Sequence, residues 1–381
     1  MTADPLRRSG RFGPTVRRYW PFVRVLLGLA VVALAAWVLS AHTDELSGLP
    51  GVFEKLNWWW VSAAVVAETM SFVCFAAMQR WLLQIGGLDA PMPPLLKMSF
   101  ASQAIANSLP GGNAVSAVYG FRWYRRFGSS NTLAAWAMVG TVIASIVSLA
   151  LVATLGLVLA TEEGASLDLI PAIVGALVVT TAIGVLFVYE RPLLKVLTLS
   201  LRLSRSITGR PKGDTEAHIA KSMLWVRSVQ LGWRQAAITV VWGAANWLFD
   251  CACFAMMFLA IGAAIPWKGL LLAYGAGQLA AALPITPGGL GVVEGSITIA
   301  LVAFGGAETT TVDAVLMYRL ISFWLVLAVG WALWGELAFE VRKGHWDRYA
   351  LSTPVEAGRI SRSVPAPPSI TVSGQPLEAG P

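Results

Sequence analysis

The chain has 381 residues, of which 56% are hydrophobic and only 13% are charged, and its formal net charge is +7. Soluble domains contain about 25% charged residues, so this composition excludes an ordinary soluble protein and predicts an all-α polytopic membrane protein. The positive charge lies between apolar runs, as in cytoplasmic loops, which argues against a nucleic-acid-binding surface. The three cysteines lie inside apolar runs and the three histidines outside them, so the sequence predicts no disulfide framework, metal site or cofactor.

The first membrane half is predicted at residues 21–190, after a basic cytoplasmic N-terminus at residues 1–20. Its apolar runs predict four spans, at about 22–41, 58–83, 132–160 and 169–189. A cleaved signal peptide is the alternative for the first run, but the apolar region of such a peptide has only about 7–15 residues. We therefore expect a retained span that begins on the cytoplasmic side.

A Pro-Gly-Gly triplet interrupts the apolar sequence between the second and third spans. It consists of Pro110, Gly111 and Gly112, and Asn113 follows it. Each flanking arm has about 14 to 16 residues, or roughly 21 to 24 Å as a helix, whereas the hydrocarbon core is roughly 30 Å thick. We therefore predict a re-entrant hairpin at residues 94–126 that enters the membrane from the cytoplasm.

A basic segment at residues 191–234 divides the chain into halves. It holds nine Lys or Arg and two acidic residues, which predicts a cytoplasmic linker, either as helices on anionic lipid or as a solvated loop. The second membrane half is predicted at residues 235–340. Its two spans and its hairpin are expected at about 236–261, 312–338 and 266–305. Residues 341–381 are rich in Pro, Ser and Gly and predict a disordered cytoplasmic tail.

The second hairpin contains its own triplet, Pro287, Gly288 and Gly289. Broken backbone inside a membrane is tolerated only where protein or a water-filled cavity surrounds it. Glu294 follows closely, and Arg319 lies inside the next span. A membrane-embedded charge costs roughly 2.5 to 3.5 kcal/mol, so we expect these two side chains to pair or to face a wet cavity.

Three interpretations of Glu294 stay open. It could lie beside backbone amides that receive an anionic head group, it could carry a proton coupled to transport, or it could form an ion pair with Arg319 that only fixes helix register. We favour a role in transport, because the carboxylate follows broken backbone.

Other polar residues extend the candidate site. Asn113 and Arg122 form the matching set on the first hairpin, although Arg122 also fits a simple anchor at the cytoplasmic surface. Glu68 and Asp250 lie near the middle of the spans that precede the two hairpins, where each could face a cavity or bond a neighbouring helix. No acid in the first hairpin matches Glu294, so we expect the two hairpins to differ chemically.

Short sequence matches relate the two halves. The run from Cys74 to Met78 is echoed by the run from Cys253 to Met257, Gln103 by Gln278, and the first triplet by the second, with offsets between 175 and 179. The charge pattern orients the second span outside to inside and the fifth inside to outside, which predicts two inverted-topology repeats. Such repeats with broken helices are a recurrent design of alternating-access carriers.

The segment from Leu283 to Glu294, together with the segment from Met317 to Trp324, resembles the transmembrane flippase-like family related to the lysylphosphatidylglycerol synthetase membrane domain. The first Pro-Gly-Gly triplet and Arg122 are similar to the first-half motif of that family. The resemblance covers roughly residues 20–340. It implies movement of a polar-headed lipid between leaflets, with aminoacylated phosphatidylglycerol and polyprenyl-phosphate-linked sugars as candidates.

The bifunctional members of that family carry a soluble aminoacyltransferase domain after the membrane part. Residues 341–381 are too few for such a domain, so lipid synthesis is not expected. The sequence also contains no recognisable catalytic motif, so we do not expect an enzyme.

The resulting prediction is a lipid flippase of the bacterial plasma membrane with both termini in the cytoplasm. The alternative is a non-transporting scaffold or regulator of an envelope-biosynthesis enzyme, with the basic linker as the docking surface. The lipid, the direction of transport, the coupling ion and the oligomeric state stay open at this point.

Overall fold

The computed structural model describes residues 56–109, 111–162, 231–281 and 286–343. Several predictions fall outside these ranges. They concern the N-terminus at 1–20, the spans at 22–41 and 169–189, nearly all of the linker at 191–234, nearly all of the tail at 341–381, and Pro110 with residues 282–285.

The described chain consists of helices joined by short turns. In chain order these are α1 (Trp58–Ile85), α2 (Met92–Ser108), α3 (Gly112–Arg126), α4 (Asn131–Glu162), α5 (Trp233–Ala260), α6 (Trp267–Ala281), α7 (Val292–Ala303) and α8 (Glu308–Arg342). A short 3-10 helix, Pro287–Gly289, precedes α7, and α8 contains a π-helical segment, Leu320–Leu325.

The helices fall into two classes by length. Helices α1, α4, α5 and α8 are long and apolar enough to cross a membrane, which takes about 20 residues. The arms α2, α3, α6 and α7 have 17, 15, 15 and 12 residues. These lengths correspond to roughly 18 to 26 Å, which suits re-entrant hairpins. The predicted all-α polytopic membrane fold is confirmed.

Local sequence explains the shape of the first hairpin. Pro93 occupies the second position of α2, where its missing N–H removes no helical hydrogen bond. The helix ends at Ser108, and the extended backbone of Leu109 is the conformation that a following proline favours. Gly111 then turns the chain with a φ of +67°, which glycine adopts without strain, and α3 begins.

Helices α1 and α5 pack side by side in antiparallel directions. Asn57 N–H donates to the Ala260 carbonyl at 2.9 Å, and Trp81 Nε1 donates to the Gln235 carbonyl at 3.3 Å. Between these two contacts, the side chains of Ser71 and Asn246 are hydrogen-bonded at 3.1 Å. Residue numbers on α5 therefore fall as those on α1 rise.

The Ser71–Asn246 contact also relates the two halves. These residues lie 175 positions apart, within the offset range of the sequence repeat. An antiparallel contact between the corresponding helices of the two halves, close to the positions that the repeat makes equivalent, fits a pseudo-two-fold relation between the halves. This is the arrangement that inverted repeats require.

The packing of the other helices follows the same relation. Helix α2 packs on α8 as α6 packs on α4, and α3 contacts α4 as α7 contacts α8. Glycines allow the closest approaches in both halves. A Cβ on Gly330 would lie 2.4 Å from the Phe100 carbonyl oxygen, and a Cβ on Gly156 would lie 2.6 Å from Leu271 Cβ. Small residues at such contacts are typical of membrane helices.

Candidate functional site

A cavity of about 310 Å³ lies between the turns of the two hairpins. Both turns contribute to its wall, and so do the facing surfaces of α1, α5 and α8. Seven of the predicted site residues line it: Glu68, Gly111, Gly112, Asn113, Asp250, Gly288 and Arg319. Among the other predicted residues that the structure describes, those outside the lining are Arg122, Pro287, Gly289 and Glu294. Pro110 falls outside the described residues.

The first turn places the start of α3 at the cavity wall. Gly111, Gly112 and Asn113 all line the cavity, and no side chain in the described chain caps this helix start. The first N–H groups of a helix and its dipole favour negative charge. The start of α3 thus offers positive electrostatic potential to the cavity.

Gly112 also sets how closely α3 approaches α2. A Cβ at this position would lie 2.4 Å from the Ala106 carbonyl oxygen. We expect Gly112→Ala to lower the free energy of unfolding by about 1–2 kcal/mol, because the arms must separate. Thermal unfolding in detergent measures this effect. Gly120→Ala in the same helix is the matched control, since its nearest atom, Met138 Cε, is 4.0 Å from the new Cβ. Equal losses in both variants would contradict the described turn.

The second turn is held by an ion pair between Glu294 and Arg319. Arg319 Nε donates to Glu294 Oε1 at 2.7 Å, and Arg319 Nη2 donates to the Gly288 carbonyl at 3.0 Å. Glu294 Oε2 accepts from the Gly291 N–H at 2.7 Å. The guanidinium also lies over the Phe323 ring, 4.7 Å from its centre.

This geometry gives the two residues different positions. Arg319 lines the cavity, whereas Glu294 lies outside the cavity lining. Glu294 accepts hydrogen bonds from Arg319 and from the backbone at the start of α7. Of the interpretations left open by the sequence, the ion pair that fixes local structure describes the contacts of Glu294 best. The two hairpins differ as expected, because α7 is capped by an acid and α3 is not.

A cluster of polar groups surrounds Asp250 in the cavity wall. Asp250 Oδ2 accepts from the Tyr274 hydroxyl at 2.7 Å, and Oδ1 accepts from the Tyr318 hydroxyl at 2.9 Å. Gln278 Nε2 reaches both Asp250 Oδ2 and the Tyr318 hydroxyl, at 3.3 and 3.2 Å. Glu68, from the facing helix α1, lines the same cavity. Both acids therefore face the cavity, and Asp250 also joins α5 to α6 and α8.

Sequence reasoning did not include Tyr274, Gln278 and Tyr318 in the site. Signals for two of them were present. Gln278 matched Gln103 in the repeat, and both glutamines line the cavity. Tyr274 lies four residues before Gln278 and so on the same helix face. Tyr318 directly precedes Arg319, but adjacent helix residues point in different directions, and its role required the fold.

Arg122 lies on the exposed side of α3, away from the cavity. Its position suits the surface anchor that the sequence left as an alternative. In the described part of the chain, no group of three or more His, Cys, Asp or Glu side chains is placed to hold a metal ion.

Comparisons with known proteins agree with the fold. The sequence model of the lysylphosphatidylglycerol synthase TM region matches residues 25–330, which is most of the chain. A UPF0104 membrane protein from Methanothermobacter thermautotrophicus is 31% identical over 102 residues, which cover 26% of this chain and 30% of that protein. The matched part is therefore less than a third of the relative's length. The family match shows that this multi-pass membrane protein belongs to the family of the lysylphosphatidylglycerol synthase TM region.

Proposed function

We propose that the protein moves a polar-headed lipid between membrane leaflets by alternating access. The observation that carries this proposal is the polar cavity between two broken hairpins, inside a bundle of membrane-crossing helices. Buried charges are costly within a membrane and generally mark a pathway for a substrate or ion.

The size of the cavity supports a head group as its occupant. Its volume of about 310 Å³ is at the lower end of small-molecule sites, which span roughly 300–1,000 Å³. A head group fits this volume, whereas its acyl chains would extend along the apolar outer surfaces of the helices. Such surfaces are present on α4, where Val142 and Leu155 are exposed.

The charges in the wall favour a head group that carries a phosphate. The start of α3 and the Arg319 guanidinium both present positive potential to the cavity. Asn113, Gln103 and Asn107 add amide groups from the first hairpin. A phosphate accepts hydrogen bonds from all these groups, and the acid pair on the other wall would contact cationic or hydroxyl groups of the same lipid.

The mirrored packing supports alternating access. Each hairpin lies against the long helix of the other half, because α2 packs on α8 and α6 packs on α4. Exchange of the two halves between their nearly equivalent arrangements would open the cavity to one side and then to the other. In this proposal the chain transports its lipid without changing it chemically.

Leaflet-resolved transport in proteoliposomes tests the proposal. We expect fluorescently labelled phospholipids to change leaflets at rates that depend on the head group. Asn113→Leu should slow this movement about tenfold, the effect of losing roughly one hydrogen bond to the substrate. Asn131→Leu, at the exposed start of α4, is the matched control and should move lipid at the wild-type rate.

Equal rates for all head groups, or equal rates for Asn113→Leu and the wild type, would contradict the proposed site. An absence of movement for anionic, zwitterionic and aminoacylated phospholipids and for polyprenyl-phosphate sugars would favour the scaffold function instead. Mass spectrometry of the recovered lipids checks that they are chemically unchanged.

A further inference from the structure

The acids Glu68 and Asp250 lie opposite each other between the two repeats, and we call them the Glu68–Asp250 pair. On the antiparallel helices α1 and α5, each lies about one turn from the Ser71–Asn246 contact and on the same side of it, and both line the cavity. Two neighbouring carboxylates in a buried site repel each other, so such a site favours a proton on one of the two groups.

The surroundings of the pair stabilise one negative charge, on Asp250, and not a second one on Glu68. Asp250 accepts hydrogen bonds from Tyr274, Tyr318 and Gln278, which suits a carboxylate. Glu68 is 6% exposed, and its Oε2 is buried without a hydrogen-bond partner in the described chain. An ionised Glu68 would leave that oxygen charged and unsolvated, whereas a protonated Glu68 carries no charge.

The other titratable groups around the pair do not supply a positive charge that would balance a second negative charge on it. Those that face the pair are Cys251 and Cys253 from α5, Tyr274 from α6, and Tyr318 and Arg319 from α8. Arg319 is bonded to Glu294 at 2.7 Å, so its ion-pair partner is Glu294 and not an acid of the pair. The cysteines and tyrosines are neutral in their protonated forms. The pair therefore holds one proton and one negative charge.

We propose that the Glu68–Asp250 pair is the proton-binding site that couples lipid movement to proton movement. The inference rests on the proposed function. A proton binds from the water on one side when the cavity is open to that side. The pair releases the proton to water on the other side after the two halves have exchanged their arrangements. Each cycle therefore takes up one proton and releases one. Because the pair lies between the two halves, both arrangements can reach it.

The hydrogen-bond donors around Asp250 favour a proton over a metal cation. A metal ion needs several oxygen lone pairs around it. Here two hydroxyl groups and one amide direct their hydrogens at Asp250, and these would repel a cation. The competing outcome is coupling to sodium, and the experiment must distinguish it from coupling to protons.

Infrared spectroscopy of the purified protein tests the proton site without any transport. We expect a carbonyl stretch band of a protonated carboxyl group at neutral pH, and we expect Glu68→Gln to abolish it. Glu308→Gln is the control, because Glu308 is the exposed first residue of α8 and its loss should leave the band unchanged. Wild-type protein with no such band at neutral pH would overturn the proposal, even if the variant fails to fold.

Proteoliposomes with an imposed gradient test the coupling. We expect a pH gradient that drives protons into the proteoliposomes to change how much fluorescent phosphatidylglycerol accumulates in one leaflet. In the wild type this change should reach up to about tenfold per pH unit. In Glu68→Gln, whatever its rate of lipid movement, the accumulation in each leaflet should be the same with and without the gradient. A response to a sodium gradient in place of the pH gradient, or to neither, would overturn the coupling. A band in the infrared spectrum with no lipid movement would instead contradict the proposed function and retain the proton site.

Discussion

Replacing Arg319 with methionine is expected to reduce lipid movement at least about a hundredfold and to lower the free energy of unfolding by about 3 kcal/mol. The loss of stability follows because Glu294 stays partly buried without its partner, and breaking a buried ion pair costs several kcal/mol. The loss of transport follows because Arg319 lines the cavity and also bonds the Gly288 carbonyl. Proteoliposome transport and thermal unfolding measure the two effects.

Two further variants separate the roles of Arg319 and Glu294. Glu294→Gln retains an acceptor oxygen, so it should lose less stability than Arg319→Met while slowing transport through a misplaced Arg319. The double variant should recover part of the stability, because no charge is left unpaired, but none of the transport. Recovery of transport in the double variant would show that Arg319 acts only as a structural partner of Glu294.

Arg80→Met is the matched control for this ion pair. Arg80 bonds Asp89 at 2.9 Å, but the two side chains are 37% and 50% exposed, against 11% and 20% for Arg319 and Glu294. Exposed pairs contribute about 0–1 kcal/mol, so this variant should differ little from the wild type in stability and transport. Equal losses in Arg80→Met and Arg319→Met would indicate a general effect of removing arginine.

Replacing Gly330 with leucine is expected to lower the free energy of unfolding by about 3 kcal/mol or more. A Cβ at this position would lie 2.4 Å from the Phe100 carbonyl oxygen and 2.6 Å from Ala104 Cβ, so α8 and α2 would have to separate. Backbone atoms cannot move aside as the end of a flexible side chain can. Thermal unfolding in detergent, followed by tryptophan fluorescence, measures the loss.

Gly335→Leu provides the control in the same helix. Gly335 is exposed, and no atom of the described chain lies within 4 Å of a Cβ built there. Leucine has a higher helix propensity than glycine, so this variant should be as stable as the wild type or slightly more stable. A Gly330→Leu protein as stable as Gly335→Leu would show that α8 and α2 are not in the close contact described.

Much of the architecture could be predicted because it depends on local sequence. The span predicted at 58–83 is Trp58–Ile85, and the span predicted at 312–338 lies within Glu308–Arg342. Long apolar runs, Pro-Gly-Gly triplets and clusters of basic residues each act within a few residues of their own position. The inversion of the repeats could also be inferred, because the sidedness of the loops alone gives the direction of each span.

The partners within the site could be predicted only in part. Glu294 and Arg319 were considered together because both are charges inside apolar sequence, and the structure joins them at 2.7 Å. The placement of Glu68 opposite Asp250 depends on which face of α1 meets which face of α5. Helical periodicity shows which residues share a face, but it does not show which helix that face contacts.

The π-helical segment Leu320–Leu325 has a mechanical consequence for α8. A π turn contains one residue more than an α turn, and such turns within α-helices often mark functional positions. If the segment tightened into an α-helix, Glu308–Arg319 would rotate by roughly 100° and shift by about 1.5 Å relative to Val326–Arg342. Arg319 directly precedes the segment, so a change in helical winding there would swing its guanidinium around the helix axis while Gly330 stayed against α2. Helix α4, which packs on α6 as α8 packs on α2, is α-helical throughout, so the two corresponding helices differ in this respect.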